Sequence, residues 1–506
     1  MVNKTGNIYF RFSFYIAVFF ILVPAVLFSQ TKSKKRGIAY GHLSEADMAA
    51  VSKNLSWWYN WDYKPESTVA NVYQNYSMDF VPMTWNGSFN ETGLRAFYTS
   101  HPNAKYLLAF NEPNFTTQAN LKPSQAAALW PRLEKIAQDY NLKIVGPAVN
   151  YSGNPVTENG VTFTDPVVYL DAFFKACPNC RVDYIAVHNY MCYTSALSDY
   201  INKFKKYKKP IWLTEFACWD QPTITLDMQK AYMLGAIDYL ESDTSVFRYS
   251  WFNGNRSGAF PYLDLLKPTS GQLTDLGNIY LNFNPVRDTS RYTVIPARME
   301  AENYTTMSGV TLEATQDISG IADVNKIDAS DWLEYNIDVP VAGDYNVFLR
   351  LAASAATSLA IRENGLILKV LQIPSTGGTQ TWKTLTTSAT LKAGKHKLQI
   401  FTNKGLFNLN WLEITTASYP TFAPETGLTA TKFYPNPVND KLTIESEFLT
   451  SGTQLLVIDL AGRIIYSKTL TERTSAAIID FSNFKSGSYF VQVKTNENLS
   501  NQLIVK

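Results

Sequence analysis

Between residues 36 and 283, short apolar runs alternate with segments whose apolar residues recur at helical spacing. The runs are continuous rather than alternating in polarity, which is typical of strands buried on both faces of a parallel sheet. The eight runs read RGIAYG, SWWYNW, DFVPMTW, YLLAFNEP, KIVGPAV, VDYIAVHNY, PIWLTEF and VFRYSWFNG. Eight strands alternating with helices predict a (β/α)₈ barrel of the TIM type.

Helical patterns are predicted at 44–54, 124–141, 165–176, 196–208 and 226–242. Ser124 and Asp165 are predicted to cap two of these helices, and Pro123 and Pro166 lie where a first helical turn tolerates proline. The segment between the second and third apolar runs is short, which predicts that one helix of the barrel is missing there.

After residue 284 the polarity alternates with a period of two, and proline and glycine separate the runs. This pattern predicts a β-sandwich (jelly-roll) module at 291–416 and a small C-terminal β-sandwich at 431–506, joined by a linker at 417–430. A chain of 506 residues also exceeds the ~250–300 residues of a single core. We therefore expect a multidomain protein, with its barrel domain at 36–284.

The first thirty residues have the pattern of a secretory signal peptide, 1–30. Lys4 and Arg11 precede an uncharged run at 12–28, and small and polar residues follow it. A membrane anchor is the alternative. It is disfavoured because the run is short for a span of ~20 residues and contains Pro24. The mature protein is expected to be exported.

Composition excludes some classes of function. A net charge of +2 argues against a nucleic-acid or membrane-surface protein. No glycine-rich phosphate loop follows a strand, which disfavours phosphate-handling and nicotinamide enzymes. Aromatic residues make up 14% and charged residues 17% of the chain, which suits neutral sugars as well as an ordinary aromatic core. The sequence does not determine the oligomeric state.

The four cysteines fall within one part of the barrel segment. Disulfides Cys177–Cys180 and Cys192–Cys218 are favoured over a zinc site, because exported proteins keep disulfides and the two pairs lie in different predicted elements.

Two glutamates follow apolar runs directly, Glu112 after 106–110 and Glu215 after 211–213. Active sites of parallel barrels lie at the carboxyl ends of the strands. Two carboxylates meeting there can hydrolyse a glycosidic bond, one as a proton donor and the other as nucleophile or base. The alternative is that these glutamates form structural ion pairs. That explanation is weaker for two strand-end glutamates than for one, and Glu112 is moreover flanked by Asn111 and Pro113.

The motifs WWYNW, NEPN, VDYIAVHNY and PIWLTEFAC occur in this order along the barrel segment. On these motifs the segment resembles glycoside hydrolase family 128, the endo-β-1,3-glucanases, within a superfamily of retaining enzymes. The resemblance implies Glu112 as general acid/base and Glu215 as nucleophile. It also implies that Asn111, Tyr190 and aromatic residues around the pocket hold substrate.

Further candidates lie at or just past predicted strand ends. Hydrogen bonds from Tyr190 would keep the nucleophile ionised, and tryptophans there can stack on sugar faces. Taken singly, each of these tryptophans is more often a packing residue than not, and two of the four are expected to touch substrate. The four are Trp61, Trp85, Trp219 and Trp251. The substrate-binding candidates are Tyr59, Asn60, Trp61, Trp85, Asn111, His188, Tyr190, Trp219, Trp251 and Asn253.

The segment 291–416 resembles a family 6 carbohydrate-binding module on MEAENY, ASDWLEYNIDV, PSTGGTQTW, LKAGKHKLQIF and FNLNWLEI. The resemblance implies a structural calcium ion near Glu300, Glu302 and Glu413, since calcium takes carboxylate oxygens. Exposed glutamates on strands also occur without any ion.

The module departs from its family at two positions. Lys326 and Thr379 stand where the family often carries the aromatic pair that sandwiches a sugar. Asn408 and Asn410 are expected to remain available for hydrogen bonds. We expect weak glycan binding through another face, or a spacer role.

The last segment, 431–506, contains YPNP, a Gly-Arg turn, GSYFV and a terminal lysine. On these it resembles the C-terminal sorting domain of type IX secretion, which implies the type IX machinery as partner and a secreted or surface-attached protein.

The leading hypothesis is a secreted retaining endo-β-1,3-glucanase whose partner is β-glucan, with no cofactor for catalysis. A retaining endo-β-glycosidase on mannan, xylan or β-1,4-glucan is the alternative enzyme. A non-catalytic glycan-binding adhesin is disfavoured because both carboxylates are present.

Overall fold

A computed structural model describes residues 32–254, 262–285, 290–416, 431–446, 449–459, 464–485, 487–494 and 499–506. The predicted signal peptide at 1–30 and the predicted linker at 417–430 lie outside the described residues. The described chain forms two compact units, which divide between Asn284 and Pro285.

The first unit is built on eight parallel strands flanked by helices. Its elements in chain order are β1 Arg36–Ala39, α1 Glu45–Val51, β2 Trp57–Tyr59, β3 Asp79–Phe80, α2 Glu91–Ser100, β4 Tyr106–Leu108, α3 Pro123–Asp139, β5 Lys143–Val149, the short hairpin β6 Thr157–Glu158 and β7 Val161–Thr162, α4 Pro166–Ala176, β8 Tyr184–Asn189, α5 Thr194–Phe204, β9 Ile211–Phe216, α6 Leu226–Ser242, β10 Val246–Phe252 and α7 Asp275–Asn282.

The parallel strands follow the order β3-β2-β1-β10-β9-β8-β5-β4. The sheet is closed by residues just past β3, because Met83 pairs in parallel with Leu108 of β4. Backbone hydrogen bonds from Leu108 N to Pro82 O and from Thr84 N to Leu108 O, both 2.9 Å, hold this seam. The barrel predicted from the eight apolar runs is thereby confirmed.

The local sequence explains most of the helix ends. The Asp165 side chain accepts a hydrogen bond from Val167 N and caps α4, as predicted. The predicted cap at Ser124 is wrong, because α3 begins one residue earlier at Pro123 and its cap position is Lys122. Between β2 and β3, a stretch described throughout, the chain forms a 3₁₀ turn at Tyr73–Tyr76 and no α-helix, as predicted.

The end of the barrel opposite the carboxyl strand ends is filled by Arg248 of β10. Its guanidinium lies over the rings of Trp57, Tyr106 and Trp212 at 5.6, 4.8 and 5.1 Å, and it binds Asp79 at 2.6 Å. The guanidinium stacks on these rings and is paired with a carboxylate, so side chains fill this end of the barrel. The open end of the barrel is therefore the one where the carboxyl ends of the strands lie.

The second unit begins with a β-sandwich of two sheets. Its strands are β11 Thr293–Val294, β12 Ala297–Glu300, β13 Thr306–Ser308, β14 Thr311–Ala314, β15 Ala322–Ile327, β16 Trp332–Val339, β17 Gly343–Ala352, β18 Thr357–Glu363, β19 Leu366–Ile373, β20 Lys383–Leu391, β21 Gly394–Lys404 and β22 Phe407–Thr416. One sheet has the order β11-β16-β21-β18-β19, with β13 beside β16; the other has the order β14-β15-β22-β17-β20, with β12 beside β22.

The C-terminal residues form a smaller pair of sheets. The strands are β23 Lys432–Tyr434, β24 Lys441–Glu445, β25 Gln454–Asp459, β26 Ile464–Thr469, β27 Ala476–Asp480, β28 Ser488–Lys494 and β29 Leu499–Val505. They are arranged as β23-β24-β27 and β26-β25-β28-β29. Alternate apolar residues from both sheets, such as Leu442 and Val491, form one buried core.

Within the described part of the chain, no helix combines the length and the apolar character needed to cross a membrane.

Candidate active site

Glu112 is positioned by the turn that follows β4. Its backbone N–H donates to Ala148 O at 2.8 Å, and its carbonyl accepts from Phe115 N at 3.0 Å. The residue has a φ of +43°, in the left-handed region that few non-glycine residues adopt. Its carboxyl is buried, with Oε1 accepting from His188 Nδ1 at 2.9 Å and from Asn150 Nδ2 at 3.5 Å.

Glu215 is the next-to-last residue of strand β9 and is only 4% exposed. Tyr59 Oη and Trp61 Nε1 donate to its Oε1 at 3.0 and 2.8 Å. The hydroxyl of Tyr190 donates to its Oε2. An ionised carboxylate accepts hydrogen bonds only, so three donors from neutral groups suit a charged Glu215.

The two tyrosines stay protonated. Burial raises the pKa of Tyr59 well above its ordinary value, and the charge of Glu215 adds to this effect. Burial raises the pKa of Tyr190 in the same way, with the charges of Glu215 and Glu112 adding to it. Both hydroxyls are therefore hydrogen-bond donors at any working pH.

His188 lies between the two carboxylates and is fully buried. Its Nδ1 is 2.9 Å from Glu112 Oε1 and 3.5 Å from Glu215 Oε2. Burial alone would lower the pKa of His188, but the charges of Glu215 and Glu112 outweigh it, so this pKa is raised. The side chain thus couples the two acids rather than lining the cleft.

A cavity of about 670 Å³ opens above the carboxylates. This volume is that of a typical ligand pocket. We call it the main cleft. Aromatic faces and amide or carboxyl groups share its walls, a mixture that suits sugar rings. Its lining residues are Trp61, Trp85, Asn111, Glu112, Phe115, Gln118, Asn150, Tyr151, Asn189, Tyr190, Met191, Glu215, Trp219, Asp220 and Phe252.

The structure brings most of the sequence-predicted residues together. Asn111, Trp61, Trp85, Tyr190 and Trp219 line the main cleft with both glutamates. Tyr59 and His188 do not line it, and instead hold the glutamates from behind by the hydrogen bonds given above.

Besides Tyr59 and His188, three more of the predicted substrate residues do not line the main cleft. Trp251 is fully buried and donates through Nε1 to Leu263 O at 3.0 Å, so it cannot stack on a sugar. The Asn60 amide donates to Lys64 O and Glu66 Oε2 at 3.0 and 3.1 Å, away from the cleft. Asn253 is 9% exposed and does not contribute to the lining.

Several cleft residues were missed by sequence reasoning, although their positions carry a signal. Asn150 and Tyr151 follow the apolar run KIVGPAV directly, and Phe115 follows NEPN. All three are strand-end residues of the kind that forms barrel active sites. Phe252 is adjacent to the Trp251 that was predicted in its place.

The structure pairs Cys177 with Cys180 and Cys192 with Cys218, as predicted. The second disulfide joins the segment after β8 to the segment after β9. Beside it, Trp219 N and Asp220 N donate to Tyr190 O at 2.9 and 3.1 Å. The residues that hold Tyr190 against Glu215 are thus cross-linked.

Removing the second disulfide, as Cys192→Ala with Cys218→Ala, should lower the stability of the barrel and its turnover. A bond that closes a 26-residue separation contributes about 3 kcal/mol in the chain-entropy model, and Tyr190 would lose part of its support. Thermal melts and initial rates check this. The matched control is Cys177→Ala with Cys180→Ala, which should leave turnover unchanged. Equal turnover in both double variants would contradict the positioning role.

The three glutamates predicted to hold calcium lie near the junction of β12 and β22. Arg298 pairs with Glu413 across the two strands and lies 3.5 Å from Glu300 Oε1. Burial raises the pKa of Glu300 and of Glu413, and Arg298 opposes this. Glu302 is 6% exposed. Across the described residues no three acidic, histidine or cysteine side chains form a group that could hold a metal. The donor type fits calcium, but the grouping does not.

The two module asparagines are already engaged. Asn408 Nδ2 donates to Glu313 Oε1 at 2.7 Å and to Thr379 O at 2.9 Å. Asn410 Nδ2 donates to Asp317 Oδ2 and Ser319 O at 2.8 and 3.0 Å. Both Nδ2 groups are therefore used within the module, and the prediction that these amides remain available is wrong for their donors.

Three family models match the chain in succession. Residues 37–280 match the glycosyl hydrolase catalytic core. Residues 300–416 match carbohydrate binding module family 6, and residues 432–506 match the secretion system C-terminal sorting domain.

Among curated proteins, the chain is similar to alkali-sensitive linkage protein 1 of Schizosaccharomyces pombe, with 31% identity over 264 residues, 49% of this chain and 45% of that protein. The chain spans between 18% and 45% of the length of the curated relatives it matches. Among solved structures, it is similar to a GH128 (subgroup II) endo-β-1,3-glucanase from Sorangium cellulosum, at 39% identity over 49% of this chain and 98% of that one, with a TM-score of 0.45. A counterpart from Pseudomonas viridiflava shares 41% identity over 50% of this chain and 98% of that one, with a TM-score of 0.46.

Proposed function

Because the chain is a glycoside hydrolase that also carries a family 6 carbohydrate-binding module and a C-terminal sorting domain, we propose that its barrel is a retaining endo-β-1,3-glucanase. The observation that carries the proposal is the pair of buried carboxylates with unequal hydrogen-bond environments in one sugar-sized cleft. Glu215 receives three donors from neutral groups, whereas Glu112 faces the cleft with His188 and Asn150 as partners.

In the first step, Glu112 is protonated and donates to the glycosidic oxygen while the Glu215 carboxylate attacks C1. The C1–O bond to the leaving sugar breaks, and an ester forms between C1 and Glu215. In the second step, Glu112 takes a proton from water as that water attacks C1. The ester breaks, Glu215 is ionised again, and the product keeps its original anomeric configuration.

The linkage preference rests on the motif resemblance to family 128, and the chemistry of the two carboxylates suits any neutral β-glycan. Incubation of the purified chain with laminarin, mannan, xylan and β-1,4-glucan, followed by sizing of the products, tests the proposal. Internal cleavage of laminarin alone is the expected result. Cleavage of another glycan in its place would favour the alternative glycosidase, and cleavage of none would favour a glycan-binding adhesin.

We propose that His188 is a positioning residue whose positively charged imidazolium lies between the two carboxyl groups. Since its pKa is raised, the imidazolium contributes stability that is present below the ordinary value of about 6.5 and is lost as the pH rises through the raised value. We therefore expect the melting temperature of the wild type to exceed that of His188→Asn most at low pH.

This prediction is checked by thermal melts of both proteins between about pH 5 and pH 9, a range that brackets the ordinary histidine pKa. The difference in melting temperature should shrink as the pH rises. A matched His101→Asn variant, at the end of α2, reports on histidine loss away from the site. A His188→Asn difference that stays constant with pH would show that His188 only packs.

The sorting domain makes the protein a secreted or cell-surface-attached one. We propose the division into a signal peptide at 1–30, a catalytic domain at 36–284, the module at 291–416, a linker at 417–430 and the sorting domain at 431–506. Export would then use the type IX machinery, with removal of the last domain.

The family 6 module is proposed to bind glycan weakly. Lys326 and Thr379 replace the usual aromatic pair, and Asn408 is held by Glu313. Losing two stacking faces at roughly 0.5–1.5 kcal/mol each lowers affinity by one to two orders of magnitude. Calorimetry on residues 291–416 with β-1,3-oligosaccharides checks this. Tight binding that disappears in Asn408→Ala would contradict it.

Calcium in the module stays a prediction. The motif resemblance implies Glu300, Glu302 and Glu413 as ligands of a structural ion, although their side chains do not form a metal-holding group among the described residues. Thermal melts of residues 291–416 with and without a chelator test this prediction. An unchanged melting temperature would show that no calcium ion stabilises the module.

A further inference from the structure

A second cavity lies beside the main cleft, on the far side of two of its tryptophans. We call it the side pocket. Its volume is about 180 Å³, against 670 Å³ for the main cleft. Trp61 and Trp85 line both. The side pocket thus shares a wall with the main cleft, and its size suits one ring rather than an oligosaccharide.

The remaining walls come from the segments after β2 and β3 and from the start of α2. They include the rings of Tyr63 and Phe89 and the polar side chains of Asp62 and Asn90. These groups suit a neutral pyranose. Its flat ring faces can stack on the aromatic rings, and its hydroxyls can donate to the carboxylate and accept from the amide.

The polar groups are accessible. Asp62 is exposed, and its Oδ1 accepts from Tyr63 N at 2.6 Å. Asn90 caps α2 through Oδ1, which accepts from Gly93 N at 2.9 Å. Its Nδ2 has a long bond of 3.4 Å to Tyr63 Oη. A carboxylate acceptor and an amide donor therefore face the same small volume.

The shared wall is fixed to the catalytic centre. Trp61 Nε1 donates to Glu215 Oε1 at 2.8 Å, and Trp85 O accepts from Asn111 N at 2.9 Å. A sugar ring bound in the side pocket would contact Trp61 and Trp85, which also line the main cleft. Occupancy there can therefore orient the glycan that is being cleaved.

Resting on the proposed function, we propose that the side pocket binds one neutral hexose unit of the same glycan that occupies the main cleft. That unit is either the next sugar along the chain or a branch attached to it. Both present the same ring chemistry to the pocket, and substrates of defined structure separate them.

The test uses the full chain with two variants, Asp62→Ala and Phe89→Leu. The first removes the carboxylate and the second removes an aromatic face while keeping bulk. Matched controls are Asp199→Ala on α5 and Phe174→Leu on α4, which make the same changes away from either cavity. kcat/KM is measured on laminaritriose, on linear laminarihexaose, and on laminarin before and after enzymatic debranching.

Both pocket variants should match the wild type on laminaritriose. A fall of about three- to tenfold on laminarihexaose, as expected from one lost sugar contact, assigns the pocket to the chain. The same fall on branched laminarin alone assigns it to a branch. Equal kcat/KM on every substrate would overturn the proposal, and so would an equal loss on laminaritriose, since that reports damage to the main cleft.

Failure of the proposed function is seen separately. If the wild type cleaves no β-1,3-glucan, the same variants are compared on short and long forms of the glycan that it does cleave, or by affinity if it only binds. A length- or branch-dependent loss there still supports the side pocket, and its absence rejects it.

Discussion

Glu215→Gln should abolish β-1,3-glucan hydrolysis, with turnover lower by roughly 10⁴-fold or more, as for removal of other catalytic nucleophiles. Glutamine has nearly the same shape, but its amide cannot attack C1 to form the ester intermediate. Its amide N–H would also face a donor, because Tyr59, Trp61 and Tyr190 all donate hydrogen bonds to the Glu215 carboxylate. Initial rates on laminarin and NMR of the first products give the measurement.

The control for this substitution is Glu45→Gln, an exposed glutamate at the start of α1. It should keep full turnover. Melting temperatures identify any variant whose fold has changed. Near-normal turnover in a folded Glu215→Gln protein, or an inverted product anomer from the wild type, would overturn the two-step mechanism.

Glu112→Gln should lower hydrolysis of natural glucan by about 10²–10⁴-fold, the usual contribution of a general acid. A glycoside with a good leaving group, such as a nitrophenyl sugar, needs little protonation, so its first step should be spared. The ester on Glu215 then accumulates, because no base activates water. A burst of nitrophenol followed by slow turnover is the expected signature.

Azide distinguishes this assignment from simple misfolding. As an anion it needs no base to attack C1, so it should restore turnover of the nitrophenyl substrate in Glu112→Gln. It should have no such effect in Glu215→Gln, where no ester forms. Equal loss on natural and activated substrates in Glu112→Gln would remove Glu112 from the acid role.

The barrel was predictable because buried parallel strands produce continuous apolar runs that need no partner to be recognised. Helix α2 was missed for a local reason. In α2 the buried residues are only Leu94, Phe97 and Tyr98, which is too few for a clear helical period. Gly93 in the first turn weakens the pattern further, and the Asn90 cap compensates for it.

The same property of the strands explains the error at Trp251. A barrel strand is apolar on the face toward the helices and on the face toward the axis, so composition cannot assign its faces. Trp251 packs against Phe216 at 5.0 Å and Tyr280 at 6.1 Å, while its neighbour Phe252 lines the cleft. Side chains alternate along a strand, and the prediction chose the wrong one of the two.

Contacts between distant residues were beyond sequence reasoning. Asn408 and Glu313 are 95 residues apart and meet only because β14 and β22 lie on either side of β15. His188 likewise reads as an ordinary strand-end residue until β4 and β9 bring both acids to it. The residue types were visible, whereas the partners that set their chemistry were not.

A transfer of the proposed catalytic pair to another scaffold must also reproduce the left-handed backbone at Glu112. A φ of +43° costs a non-glycine residue on the order of 1–2 kcal/mol, and here the bonds to Ala148 and Phe115 hold it in place. Copying the tetrapeptide NEPN alone would let the chain relax and turn the acid away from the sugar. The unit to graft is therefore the motif together with the neighbouring strand that ends at Ala148 and Val149.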